Sequence, residues 1–363
     1  MPESRLRWFA SVALVMVAIL AVPGPAAAGL APAGHVLQLK VMTRNLYLGA
    51  DLTPLFAAQS FGAFVQAVTS VYAKVVAADF PERANAIAAE VAAIEPDLVG
   101  LQEVSLWRSQ TPADFNPSPN ADHVEYDYIA LLMEALEARG LHYAPVAVVT
   151  NFDGEAPRLT STGFQDVRLT DRDALLARVD LPPDQLSVSN PQSGRFAAHL
   201  VAQTVGGPFL VQRGWVSADV AIRGRSVRVV STHLEALHGG VNVAQGLELL
   251  AGAAAPTAPV VVLGDLNSAA DGSTTATYAN FVGTGFVDSW ALKRPSQAGL
   301  TCCQQEDLRN TASTLSERID FVLFAGDFHL RTTWIFGADP EDRTPSGLWR
   351  SDHAGVAAML SLP

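Results

Sequence analysis

Val260-Val261-Val262-Leu263-Gly264-Asp265-Leu266-Asn267 is a short apolar run that ends on polar residues. Four branched aliphatic residues bounded by a glycine read as a buried strand. The carboxylate and amide that follow it are there for another purpose. The same construction recurs along the chain. Leu98-Val99-Gly100-Leu101 runs into Gln102-Glu103, Val227 to Val230 into Ser231-Thr232-His233, and Leu39-Lys40-Val41-Met42 into Arg44-Asn45. Two clusters precede their strands instead: Arg318-Ile319-Asp320 before Phe321 to Phe324, and Ser351-Asp352-His353 before Gly355 to Leu360. Strand ends and strand starts share one sheet edge only if some strands run antiparallel to others. Gathered at that edge, these carboxylates, amides and imidazoles form a crevice suited to a hard metal ion and a phosphate ester.

Between these clusters the chain mixes helices and strands. Pro81 to Glu95 reads as an amphipathic helix with proline in its first turn. Further helices are expected over Asp127 to Arg139, Val241 to Ala253 and Thr275 to Phe281. Alternating strands are expected over Tyr143 to Thr150, Ala174 to Val179, Ala197 to Thr204 and Trp215 to Ile222. Ser109 to Asp122, with three prolines, reads as a loop. The clusters span Asn45 to His353, so one site draws on nearly the whole chain. The expectation is one domain over residues 36–363, built of two packed sheets with helices outside.

The 363 residues are 49% hydrophobic, enough for a large core. At the start, Arg5 and Arg7 precede an apolar run from Trp8 to Val22, and Ala26-Ala27-Ala28 offers a small-residue cleavage site. Residues 1–28 therefore read as a secretory signal peptide, with an uncleaved anchor as the alternative. The mature protein is expected outside the cytoplasm, secreted or periplasmic, as a monomer with no transmembrane span. Net charge is −12, and loss of Glu3, Arg5 and Arg7 with the leader leaves −13. Such acidity argues against a stable DNA-binding role, though not against a nuclease that meets a few phosphates through a metal. The only cysteines, Cys302 and Cys303, are adjacent. They read either as a vicinal disulfide in an oxidising compartment or as two reduced, buried small residues.

Each candidate has an ordinary reading beside the chemical one. Glu103 is the candidate principal metal ligand, or an exposed strand end. Asn45 is a second candidate at the metal, or a turn cap. Asp265 is suited to deprotonating a water and Asn267 to binding developing phosphoryl charge, but Gly-Asp after a buried strand is also a common turn. Two residues apart, they would share a side of an extended segment. His353 and His233 are candidate phosphoryl donors, and Asp320 would fix the tautomer of His353.

Taken together and in order, these motifs resemble the endonuclease/exonuclease/phosphatase superfamily of metal-dependent phosphoesterases, and the resemblance covers essentially everything after the leader. It implies a four-layer α/β sandwich, two central mixed or antiparallel sheets flanked by helices. It implies a metal site at Glu103, Asn45 and Asp352, with magnesium as cofactor and manganese or calcium as alternatives. Asp265 and Asn267 would handle the water and the phosphate, His233 and His353 would contact the phosphoryl group, and Asp320 would hold His353. Asp173, in Arg172-Asp173-Ala174, resembles an acidic position that some secreted nuclease members place beside the first histidine. Superfamily substrates include nucleic acids, sphingomyelin and inositol phosphates. With a secretory leader, extracellular nucleic acid or a phospholipid head group is the expected phosphodiester. A phosphomonoesterase of inositol phosphates and a non-catalytic binding or toxin-like subunit are the alternatives.

Overall fold

A computed structural model describes residues 37–363 except 117, 206 and 223. The leader reading, residues 1–28, lies outside the described residues. In the first sheet the strands run His329–Phe336, Gly355–Leu362, Leu37–Asn45, Leu98–Gln102, Gly163–Arg178, Leu106–Gln110 and His123–Asp127. The long strand Tyr143–Thr160 also pairs with Gly163–Arg178. In the second the order is Val287–Asp288, Asp320–Ala325, Val260–Asp265, Arg225–His233, Gly214–Ile222 and Ser187–Arg195. A separate ribbon joins Leu200–Thr204 to Gly207–Val211.

Side chains alternate across a strand, and that alternation builds the layers. Val261 and Leu263 face inward with Val322, Phe324, Val41, Leu98, Val356 and Leu360, forming the core between the sheets. Their neighbours Val260, Val262, Phe321 and Leu323 face outward onto Leu249, Leu250 and Phe281, carried by helices Gly239–Ala251 and Thr277–Gly283. On the other side Met42, Val99, Leu101 and Ala357 face outward onto Val68, Val71, Ile87 and Leu132. Those belong to helices Phe61–Ala77, Phe80–Ile94 and Tyr128–Glu137. The result is the expected sandwich of helix, sheet, sheet and helix. Each fully buried Leu, Val or Phe contributes about 1.5–3 kcal/mol. The sheets press closest at Gly100, where an added Cβ would lie 2.7 Å from Ser231 Oγ and 2.9 Å from Leu263 Cβ.

Several elements differ from the sequence expectation. The strands starting at Tyr143 and ending at Arg178 form one long hairpin, from Tyr143–Thr160 to Gly163–Arg178. Cross-strand pairing carries them well past the apolar stretches. Strands Ser187–Arg195 and His329–Phe336 were not anticipated, the first because its polar residues lack an apolar alternation. Both lie at sheet edges, where half the backbone is unpaired and side-chain burial is partial. Asp79 rather than the residue before Pro81 caps the helix Phe80–Ile94, accepting from Glu82 N–H. Among the described residues no single helix is long and apolar enough to cross a membrane. The bent pair Phe61–Ala77 and Phe80–Ile94 reaches that length only together.

Candidate functional site

Strand register gathers the polar clusters within each sheet, and the packing of the two sheets brings the sets together. Asn45 pairs with Gln102 in a parallel ladder, and His233 pairs with Asp265 in another. Asp265 stands opposite Asp320 across an antiparallel pair. Gly355–Leu362 runs antiparallel to Leu37–Asn45, with Val356 opposite Thr43, so His353 arrives beside Asn45. The mixture of directions expected from strand ends and strand starts is the one observed.

Asn45 lies at the junction of the two sheets. Its Nδ2 donates to Glu103 Oε1 and to Asp265 Oδ2, both at 3.2 Å, while its Oδ1 accepts from Tyr47 N–H at 2.9 Å. It thus holds two carboxylates from different sheets at a fixed spacing. Glu103 Oε2 accepts from Leu48 N–H at 2.7 Å. The backbone of Glu103 has φ 56°, a left-handed conformation that costs a non-glycine residue about 1–3 kcal/mol. Asn267, at φ 46°, is strained in the same way. The segment is therefore not extended at Asn267, and alternation does not explain its position, contrary to the sequence expectation. Instead Asn267 N–H folds back to Asp265 Oδ1 at 2.9 Å, and its amide nitrogen donates to Leu234 O at 3.0 Å.

The two histidines differ in their partners. His353 Nδ1 lies 2.8 Å from Asp320 Oδ2 and 3.7 Å from Asp265 Oδ2. Burial opposes its charge, but Asp320, Asp352 and Asp265 more than offset that and raise it well above the ordinary histidine range. His233 Nδ1 accepts from Arg213 Nη1 at 3.0 Å, and its Nε2 lies 3.0 Å from the Asn267 amide and 3.4 Å from Asp265 Oδ2. Burial, then Arg213 and His353, push His233 well below that range. An arginine only donates, so the neutral His233 ring carries its hydrogen on Nε2, where Asp265 Oδ2 is the acceptor, and the Asn267 amide nitrogen donates to Leu234 O.

The carboxylates are crowded, with Asp265 and Asp320 buried and Glu103 and Asp352 half-buried. Burial, with the charge of Asp320, raises Asp265 to about 7. Burial and Asp352 raise Glu103, and burial, assisted by Asp320, raises Asp352. Asp320 Oδ1 is buried without a hydrogen-bond partner. The donor atoms of Asp265, Asp320 and His353 lie within 4.8 Å of one another. Several hard carboxylate oxygens, forced together and short of positive charge, are what an oxygen-preferring divalent cation satisfies. The residues fit such a group.

Asp173 is fully buried beside the site, but not against His233. Its Oδ2 accepts from Asn151 Nδ2 at 3.0 Å, and the same amide donates to Asp171 Oδ2 at 2.9 Å. Asp171 lies 3.9 Å from Arg213, which stands between these acids and His233. Burial, then the neighbouring Asp171, raises Asp173 well above the usual carboxylate range, and burial raises Asp171 to about 6. The sequence reading did not find Asn151, Asp171 and Arg213. A signal existed in Asp171-Arg172-Asp173, where charges two apart on a strand must face the same way.

Two buried arginines hold the loops that carry the site. Arg83 donates to Leu46 O at 2.6 Å, Ala78 O at 2.7 Å, Arg350 O at 3.0 Å and Tyr47 O at 3.1 Å. Arg44 donates to His353 O and pairs with Glu90 at 3.1 Å, both side chains fully buried. Ser351 Oγ donates to Asn45 O at 2.8 Å, and Asp352 Oδ1 accepts from Ser351 Oγ at 3.3 Å. Cys302 and Cys303 form a vicinal disulfide next to this loop, with Cys302 bridged through its backbone to Glu317 and His353.

The sequence profile of the Endonuclease/Exonuclease/phosphatase family matches residues 73–353. No curated protein sequence matches the chain. Among solved structures, a family protein from Bacteroides thetaiotaomicron is 17% identical at a TM-score of 0.53, covering 91% of this chain and 100% of that one. A family protein from Beutenbergia cavernae is 20% identical at a TM-score of 0.54, covering 90% and 72%. A mannosyl-6-phosphatase from Bacteroides thetaiotaomicron is 16% identical at a TM-score of 0.51, covering 89% and 99%. At such identities these structures show the shared fold. With the profile matching most of the chain, the conclusion is that it belongs to the endonuclease/exonuclease/phosphatase family, membership of which implies a metal-dependent phosphoesterase.

Proposed function

We propose that this chain hydrolyses a phosphodiester with a divalent cation as cofactor, magnesium in the first instance, after export from the cytoplasm. The observation that carries the reading is the Asn45 amide joined at once to Glu103 and Asp265, at the meeting point of two sheets. Glu103 and Asp352 would hold the cation, with Asn45 keeping Glu103 and Asp265 in register. When bound, the cation polarises the phosphoryl oxygen and offsets charge on the departing alkoxide.

The other groups divide the proton chemistry. Asp265, held by the Asn45 amide and next to His233, would take the proton of the attacking water. His353, kept charged by its carboxylates, gives its Nδ1 hydrogen to Asp320 and leaves Nε2–H for a phosphoryl oxygen. His233 offers a neutral Nε2–H, and Asn267 an amide, to the same developing charge. Arg213 orients His233, and Asp171 pairs with its guanidinium.

A panel of bis(p-nitrophenyl) phosphate, plasmid DNA, RNA, sphingomyelin and inositol polyphosphates, each with magnesium and then with EDTA, tests this reading. Chelator-sensitive turnover of a diester is expected. Turnover of monoesters alone would replace it with a phosphomonoesterase, and silence across the panel would favour a binding subunit.

A further inference from the structure

A cavity beside the site has no part in the chemistry above. It encloses about 620 Å³ between the helix Phe61–Ala77, the long hairpin and the ribbon Leu200–Val211. That volume is within the range of small-molecule sites, roughly 300–1,000 Å³. Its wall includes Leu55, Phe56, Phe64, Tyr72, Phe152 and Phe209. Phe61, Phe115 and Leu210 also line it and are 54%, 52% and 46% exposed, so apolar surface continues to its rim.

Residues in the cavity wall reach the site on two sides. Asn151 lines it and donates to Asp171 and Asp173, and Gln212 lines it one residue before Arg213. On the other side Trp107 lines it and donates through Nε1 to Leu48 O, and Leu48 N–H in turn donates to Glu103. Charge selects what enters. Of the acids that line it, Asp153 is paired with Arg168 and Arg108, while Glu155 and Asp166 accept from backbone N–H groups, so with Arg195 the lining offers no excess of positive charge. A nucleic-acid strand would bring further phosphates to carboxylates, whereas its binding surfaces are usually cationic. A neutral apolar chain meets no such penalty and gains by burial.

Resting on the phosphodiesterase reading, we propose that this cleft receives the alkyl chain of an amphiphilic phosphodiester whose phosphate lies at the Glu103–Asp265 site. The ester class is thereby a lipid-like phosphodiester, and the cleft is its specificity pocket.

The test compares ethyl, octyl and thymidine 5′ p-nitrophenyl phosphodiesters, below any micellar concentration, with magnesium. All three share one leaving group. The octyl ester is expected to exceed the ethyl ester at least about tenfold in kcat/KM. Phe209→Ser should erase most of that advantage while leaving the ethyl ester unchanged. Gly154→Val gives a second route, since a Cβ there meets the Phe209 ring at 2.7 Å. Equal ethyl and octyl rates, or a thymidine ester faster than the octyl ester, would overturn the cleft assignment and leave the phosphodiesterase reading standing. Calorimetry with octyl and ethyl phosphate separates the two claims further. Preferential octyl phosphate binding without turnover of any ester would keep the cleft and sink the reaction. Neither binding nor turnover would remove both.

Discussion

The Arg213 guanidinium donates to Nδ1 of His233 at 3.0 Å, with both groups buried. This fixes one tautomer, because the ring must accept at Nδ1 and carry its hydrogen at Nε2. Nitrogen-15 shifts of labelled protein should show a neutral Nε2–H form for His233 at pH 7. Arg213→Gln should restore a mixture of tautomers and lower kcat about 10- to 100-fold. A His233 that stays in the same tautomer without Arg213 would remove the arginine's orienting role.

Asp265 is raised to about 7 when no cation compensates it. A carboxyl raised in the folded state favours the fold below its unfolded value, and that contribution is lost as pH rises through about 7. The metal-free protein should therefore lose thermal stability between about pH 4 and pH 7 from this group. A cation must displace the proton, so stabilisation by magnesium should be larger at pH 8 than at pH 6, with proton release measurable by calorimetry in buffers of different ionisation heat. In Asp265→Asn the pH dependence of metal stabilisation should flatten.

Glu103→Gln keeps the shape of the side chain and removes its charge. The expected result is a higher metal requirement for activity and a smaller magnesium-induced rise in Tm. His353→Ala should leave the fold intact and slow turnover about 10²- to 10⁴-fold, the range of a lost acid–base group. Circular dichroism and steady-state kinetics together separate the two variants.

Arg44 and Glu90 form an ion pair with both side chains fully buried, and Arg350 also reaches Glu90 at 3.1 Å. Removing one partner strands a buried charge. Glu90→Ala should cost about 3–5 kcal/mol by urea unfolding. Arg44 also holds His353 O, so activity should fall in the fraction that remains folded.

Much of the site was legible because it lies at strand ends. Asn45, Glu103, His233 and Asp265 each follow an apolar run, and a polar residue at the end of a buried strand falls on the sheet edge whatever its partner strand. Arg213, Asn151 and Asp171 were not legible. Asn151 reaches Asp171 through the long hairpin, whose pairing has register shifts near Thr150 and Phe152. Arg213 precedes the strand Gly214–Ile222 and meets His233 because Trp215 pairs with Thr232 in the next strand. Such contacts depend on register between strands that local pattern does not set. Asn267 was read as part of an extended segment, whereas a left-handed turn places it. The aromatic cleft was invisible because its wall comes from helix, hairpin and ribbon segments that are apolar for different local reasons.

The most direct measurement is an anomalous-difference map from a crystal of the protein soaked in manganese. The predicted result is a peak in contact with the Glu103 carboxylate, close to Asp265 and Asp352, that disappears in Glu103→Gln. No peak there, or a peak only at the separate carboxylates of Asp114, Glu155 and Asp166, would contradict a cation-dependent phosphodiesterase at this site.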